Sequence, residues 1–134
     1  MKKRIIHTML RVENLEESVN FYCDALGMVV VRKFENEEES YTLAFLGYAE
    51  EESSTVIELT YNHDSRSYTQ GDNFGHIAIG VESCEGFCQK VKDNGGRVVR
   101  EPGPLKGGDE IIAFCEDPDG NKIEVIEKDA HWFN

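Results

Sequence analysis

Two histidines and two glutamates stand at matching points of four short apolar runs: His7 in "IIHTMLRV", Glu58 in "VIELTYN", His76 in "FGHIAIGV" and Glu124 in "KIEVIE". A neutral imidazole offers a nitrogen ligand and a carboxylate an anionic oxygen ligand, so two of each are a donor set for a divalent ion. Nickel, cobalt, iron, manganese or zinc would suit them, and an octahedral ion would keep two positions open. Singly, a strand histidine is ordinarily a hydrogen-bonded core or surface group, and a strand glutamate a solvated one. Their recurrence in matched pairs is what points to a metal. Two ionised carboxylates drawn into one concavity repel and lose hydration unless a cation compensates them.

The elements that would position these residues also recur. The first half reads as a strand (5–12), a helix (about 15–26) and strands at 28–34, 41–47 and 55–61. Asn14 is the expected N-cap with Glu17 three residues on, Leu15, Val19, Tyr22 and Leu26 form the apolar face, and Gly27 is the stop. The second half repeats the order: a strand (75–81), a helix capped by Ser83 that ends at "NGG", and strands at 97–101, 110–115 and 121–127. Pro118 in "DPDG" is preset for the turn joining the last two. His7 and His76 are 69 positions apart, as are Asn14 and Ser83, Gly27 and Gly96, and the pairs Ala44-Phe45 and Ala113-Phe114. The offset slips to 66 for Glu58 and Glu124, because the turn before "VIELTY" is longer than "DPDG". The expected fold is α+β: tandem βαβββ modules, repeat 1 about 4–62 and repeat 2 about 74–128, in a single domain 1–134. They would form a curled, barrel-like mixed sheet with the helices outside.

Strand alternation then assigns faces. Ile6, Leu10 and Val12 point to one side of the first strand and His7, Met9 and Arg11 to the other. Ile77, Ile79 and Val81 oppose His76, Ile57 and Leu59 oppose Glu58, and Ile123 and Val125 oppose Glu124. The four polar residues therefore leave the helix-packed face for the concave one, with Asn62 beside Glu58 and Arg11 beside His7 by the same parity. Tyr41, Leu43 and Phe45 alternate on one strand and line either a pocket or an ordinary core face. His63, His131 and Trp132 have no repeat partner and read as loop and tail residues.

Composition narrows the partners. With 26 acidic and 14 basic residues the formal charge is −12, a field that repels a nucleic-acid backbone. No apolar run reaches the ~20 residues of a membrane helix, and "MKKR" lacks the apolar stretch of a secretory signal. A cytoplasmic protein with no membrane or nucleic-acid partner is expected. Cys23, Cys84, Cys88 and Cys115 show no CxxC spacing and read as reduced thiols, with Cys84 and Cys88 on one helix face as core residues.

The blocks "HTMLRVENLEESVNFYCDALGM", "VIELTYN", "FGHIAIGV" and "DPDGNKIEVIE" resemble, in order and spacing, glyoxalase I (lactoylglutathione lyase) of the vicinal oxygen chelate superfamily. The similarity covers nearly the whole chain. It implies the vicinal oxygen chelate fold and a carbon–sulfur lyase of methylglyoxal detoxification. Its substrate would be the hemithioacetal of methylglyoxal and glutathione, isomerised to S-lactoylglutathione by proton abstraction through an enediolate. By position, His7, Glu58, His76 and Glu124 match the metal ligands, and Glu124 the catalytic base, with Glu58 assisting on the other face. Arg11 and Asn62 match glutathione contacts, Arg100 falls at a basic position for the glycyl carboxylate, and Lys106 in "PLKGGD" lies in the loop that closes over the site. The resemblance further implies one divalent metal per site, nickel or cobalt ahead of zinc, and a homodimer with sites shared between subunits.

In one respect the chain departs from the pattern: some members have an arginine just before the "GH" strand, where this chain has Asp72. A polyamine-thiol conjugate is the related alternative substrate. The fold also serves metal-free proteins that sequester drugs, which lack this ligand quartet. Ring-cleaving dioxygenases, an epimerase of coenzyme A thioesters and thiol transferases share it too. Dioxygenases and transferases typically use two histidines and one glutamate, so the second glutamate favours isomerisation.

Overall fold

The alternating apolar pattern condenses into two units, Met1–Thr69 and Gln70–Asn134, each with its own sheet and helix. The computed structural model describes residues 2–133. The first unit runs β1 (His7–Arg11), α1 (Leu15–Asn20), β2 (Val29–Asn36), β3 (Tyr41–Gly47) and β4 (Val56–Asn62). The second runs β5 (His76–Val81), α2 (Cys84–Asp93), β6 (Arg97–Pro104), β7 (Ile111–Glu116) and β8 (Lys122–Glu127), then a short 3₁₀ turn at Ala130–Phe133. The strand orders are β1-β4-β3-β2 and β5-β8-β7-β6. Each is a mixed sheet with one parallel pair, β1 with β4 and β5 with β8. Neither four-stranded sheet closes on itself. Among the described residues no helix is long and apolar enough to cross a membrane.

Both helices start where a side chain can satisfy their first free amides. Asn14 Oδ1 accepts from the Glu17 amide at 2.9 Å, and Ser83 Oγ from the Gly86 amide at 3.0 Å. The first helix departs from the regular pattern expected of it. After Asn20 it widens into a π turn, Phe21–Ala25, with the Leu26 amide donating to Phe21 O at 3.2 Å. The wider turn carries one extra residue. It swings Tyr22, Ala25 and Leu26 into the core, while Leu15 and Val19 are only half-buried and the small Ser18 is fully buried against the sheet. The same extra residue moves the helix stop. The matched glycines with positive φ are Gly27 and Gly95, both at +77°, rather than Gly27 and Gly96. A side chain there would clash with its own carbonyl in the left-handed region, which glycine enters freely.

The cores lie between helix and sheet, as alternation requires. Leu10, Val12, Ala44 and Leu59 are buried in the first unit, and Ile79, Ala113, Ile123 and Val125 in the second. Ile6 precedes β1 and is exposed instead of packed. Cys84, Cys88 and Cys115 are buried free thiols in the second core, and burial pushes Cys84 up to about 11 and Cys115 up to about 12. They are packing groups, protonated at neutral pH.

Candidate active site

On the sheet face away from each helix, the histidine of the first strand reaches diagonally to the glutamate of the last. His7 stands across from Val56 and Glu58 across from Met9. His7 Nε2 nevertheless lies 3.2 Å from Glu58 Oε1. In the second unit His76 stands across from Lys122 and Glu124 from Ala78, and His76 Nε2 lies 3.1 Å from Glu124 Oε1. The parallel pairing of first and last strands makes this possible, since it sets both side chains on one face two rungs apart. The expected four residues are thus brought together as two pairs, one per unit. Among the described residues no three His, Cys, Asp or Glu side chains gather into a metal-holding group within either unit.

Each pair has the geometry of two neighbouring ligands. Donors about 2.1 Å from an ion and at right angles to each other stand about 3 Å apart, and the measured separations are 3.2 and 3.1 Å. The glutamates are the better shielded partners, with 14 % and 18 % of the side chain exposed against 38 % and 41 % for the histidines. An aromatic wall orients each imidazole: Phe45 meets His7 edge-on at 5.8 Å between centroids, and Phe114 meets His76 at 5.2 Å. Phe45 therefore lies on the His7 face of β3, buried against the imidazole. Its repeat partner Phe114 meets His76 in the same way on β7 and lines the cavity beside it.

The two glutamates are held differently. Thr60 Oγ1 donates to Glu58 Oε2 at 3.0 Å, which fixes the carboxylate with its other oxygen toward His7. Two residues beyond Glu124 the side chain is Ile126, which has no donor to give. Among the described residues Glu124 is held only through its contact with His76. Thr60 escaped the sequence reading, although parity alone places it on Glu58's face.

The remaining expected residues scatter along these faces. Arg11 ends β1 on the exposed face across from Thr60, and Asn62 ends β4 with its amide donating to Tyr68 Oη at 2.9 Å. Lys106 is exposed in the β6–β7 turn. Arg100 lines a cavity beside His76, but its guanidinium bonds backbone: Nη1 donates to Gly103 O at 2.9 Å and Ile112 O at 2.7 Å, and Nη2 to Pro104 O at 3.0 Å. It braces β6 where the register breaks on both sides of it. In the first unit the matching row holds Arg32, across from Phe45 as Arg100 is from Phe114. Arg32 lies 3.8 Å over the Phe45 ring and pairs with Glu51 at 2.8 Å, which holds the Glu51 carboxyl below the usual carboxylate range. His63 is more than a loop residue, since its Nε2 is 2.8 Å from Thr42 Oγ1 and its ring packs on Tyr61. Trp132 lies under the Lys128 ammonium at 4.4 Å.

Fold and site together define a class: duplicated βαβββ modules, each presenting one histidine–glutamate pair on its open sheet face. The chain belongs to the Glyoxalase/Bleomycin resistance protein/Dioxygenase superfamily, whose family model matches residues 4–125. Among its relatives, a lactoylglutathione lyase of Haemophilus influenzae is 56% identical over 124 residues, covering 92% of each chain. One from Salmonella typhimurium is 54% identical over 128 residues, covering 95% of each. Of solved structures, glyoxalase I from Zea mays superposes with a TM-score of 0.91 at 40% identity. This chain is 93% covered and spans only 44% of the maize chain. A trypanothione-dependent glyoxalase I from Leishmania major gives 0.84 at 43% identity, over 94% of this chain and 87% of that one.

Proposed function

We propose that the chain acts as a lactoylglutathione lyase, isomerising the hemithioacetal of methylglyoxal and glutathione to S-lactoylglutathione. His7, Glu58, His76 and Glu124 would hold one divalent metal per site. The observation that carries this reading is the repetition of one His–Glu pair, at ligand spacing, in both modules. The second glutamate favours isomerisation over the chemistries that use two histidines and one glutamate. When bound, the ion supplies Lewis-acid stabilisation of the negative charge that develops on the two substrate oxygens.

The chain's own residues supply the rest. The proton to be moved sits on a carbon beside a carbonyl, so its removal needs a base in contact. Glu124 takes it from one carbon and returns it to the next. The contrast between the glutamates supports this division: Glu58 is fastened by Thr60 as well as meeting His7, whereas among the described residues Glu124 has only its contact with His76. Phe45 and Phe114 keep the two imidazoles in place. Arg11, Asn62, Arg100 and Lys106 contact the anionic thiol portion of the substrate, and Arg100 does so while bracing β6. The two modules, repeat 1 about 4–62 and repeat 2 about 74–128, work as a single domain 1–134 in a cytoplasmic homodimer. Each site there joins the His7–Glu58 pair of one subunit to the His76–Glu124 pair of the other.

His7, Glu58, His76 and Glu124 would hold nickel or cobalt in preference to zinc, since ions that favour more than four donors would still accept substrate oxygens as Lewis acids. The test is to strip the metal, then add nickel, cobalt, zinc or magnesium separately and follow hemithioacetal isomerisation. Activity should vanish on stripping and return more fully with nickel or cobalt than with zinc. Full activity in the stripped, chelated protein would end the metalloenzyme reading.

A further inference from the structure

Resting on that reading, we infer that Lys122 is a further specificity-determining residue, the cation that meets a carboxylate of the substrate's thiol portion beside the His76–Glu124 pair. A cavity of about 710 Å³ opens in the second unit against His76 and Phe114, with Gln70, Arg100, Glu116 and Lys122 among its polar lining. Two of its charged groups already have partners within the chain, Arg100 keeping only Nε–H and one Nη2–H for a substrate. Arg100 gives both terminal nitrogens to backbone carbonyls, and Glu116 is paired with Arg97. Lys122 is exposed and has no ion-pair or hydrogen-bond partner among the described residues. The β5–β8 pairing sets it directly beside His76, and strand alternation sets it on the face of Glu124, two residues on. Its Cα is therefore fixed by the same sheet that carries the two ligands, unlike that of Lys106 in its turn.

The two modules differ at this position. The position beside His7 in the first unit is Val56, which is buried and packed close against Gly47. The equivalent position beside His76 is a solvated ammonium. Where the first unit buries a hydrocarbon, the second exposes a lysine, which contributes charge to the cavity and nothing to the core. Glutathione carries two carboxylates and this protein a formal charge of −12, so binding depends on local cations that offset the general repulsion. A lysine on a strand, lining the cavity and beside the ligand pair, meets that requirement.

The test compares Lys122→Gln, Lys122→Glu and Lys122→Arg with the wild type in the metal-loaded protein. KM is measured for the methylglyoxal adducts of glutathione and of the uncharged thiol 2-mercaptoethanol, and Kd for S-hexylglutathione by calorimetry. Losing one charge-assisted contact should raise KM and Kd for the glutathione compounds about tenfold in Lys122→Gln. The rise should be larger in Lys122→Glu and small in Lys122→Arg, with metal content and the neutral adduct unaffected. Unchanged KM and Kd in both Gln and Glu variants would overturn the assignment, as would an equal loss on the neutral adduct. A wild type inactive on the glutathione adduct would sink the lyase reading instead, while the calorimetry still reports on Lys122.

Discussion

Glu58 and Glu124 are the same residue at the same point of two copies of one module, and their surroundings hold them differently. The Thr60 hydroxyl occupies the second oxygen of Glu58, so moving that carboxylate costs a hydrogen bond; Ile126 exacts no such cost from Glu124. Glu124→Gln keeps the shape and removes the base. Its kcat should fall by roughly 100-fold or more, the scale of a lost general base, while calorimetric binding of S-hexylglutathione persists as long as metal content holds. An unchanged kcat would move the base role to Glu58 or elsewhere. Parity places both Thr60 and Lys122 on the open face; Thr60 meets Glu58 two residues back on its own strand, whereas the placing of Lys122 beside His76 depends on register across the sheet.

The elements were legible in proportion to how local their causes are. The caps Asn14 and Ser83 act over three residues, and both bonds are present as read. Removing either by Ala should cost about 1 kcal/mol, seen as a fall of several degrees in the far-UV melting midpoint. A melting point unmoved by Ser83→Ala would mean that the Gly86 amide finds another partner. The π turn at Phe21–Ala25 was not legible, because the spacing of Tyr22 and Leu26 suits a regular helix equally well. What selects the wide turn is the packing of Tyr22, Ala25 and Leu26 into one core, with the Leu26 carbonyl closed by Tyr48 Oη at 2.7 Å. That contact joins residues far apart in sequence.

At the scale of the whole molecule, each unit presents two of the four proposed ligands, so a complete site requires two faces. The shared-site homodimer is tested by complementation. One variant lacks His7 and Glu58, another lacks His76 and Glu124, and the two are unfolded and refolded together. Each alone should be inactive, since every site it forms lacks two ligands. In the mixed dimer one site gathers all four lost positions and the other four intact ligands, and activity should return. Mixed dimers that form and stay inactive would place each site within one chain.

The sequence by itself determined the duplication, the βαβββ order of both modules and the face to which His7, Glu58, His76 and Glu124 project. All of these follow from short-range rules: cap chemistry, glycine stops and the two-residue period of a strand. Only the tertiary structure decided the rest: that the pairs meet at 3.2 and 3.1 Å, and that Arg100 turns onto carbonyls while Lys122 stays open. Those outcomes hang on strand register and on the bulges in β2 and β6. Register is set by pairing between residues tens of positions apart, where a slip of one residue would turn every side chain to the opposite face.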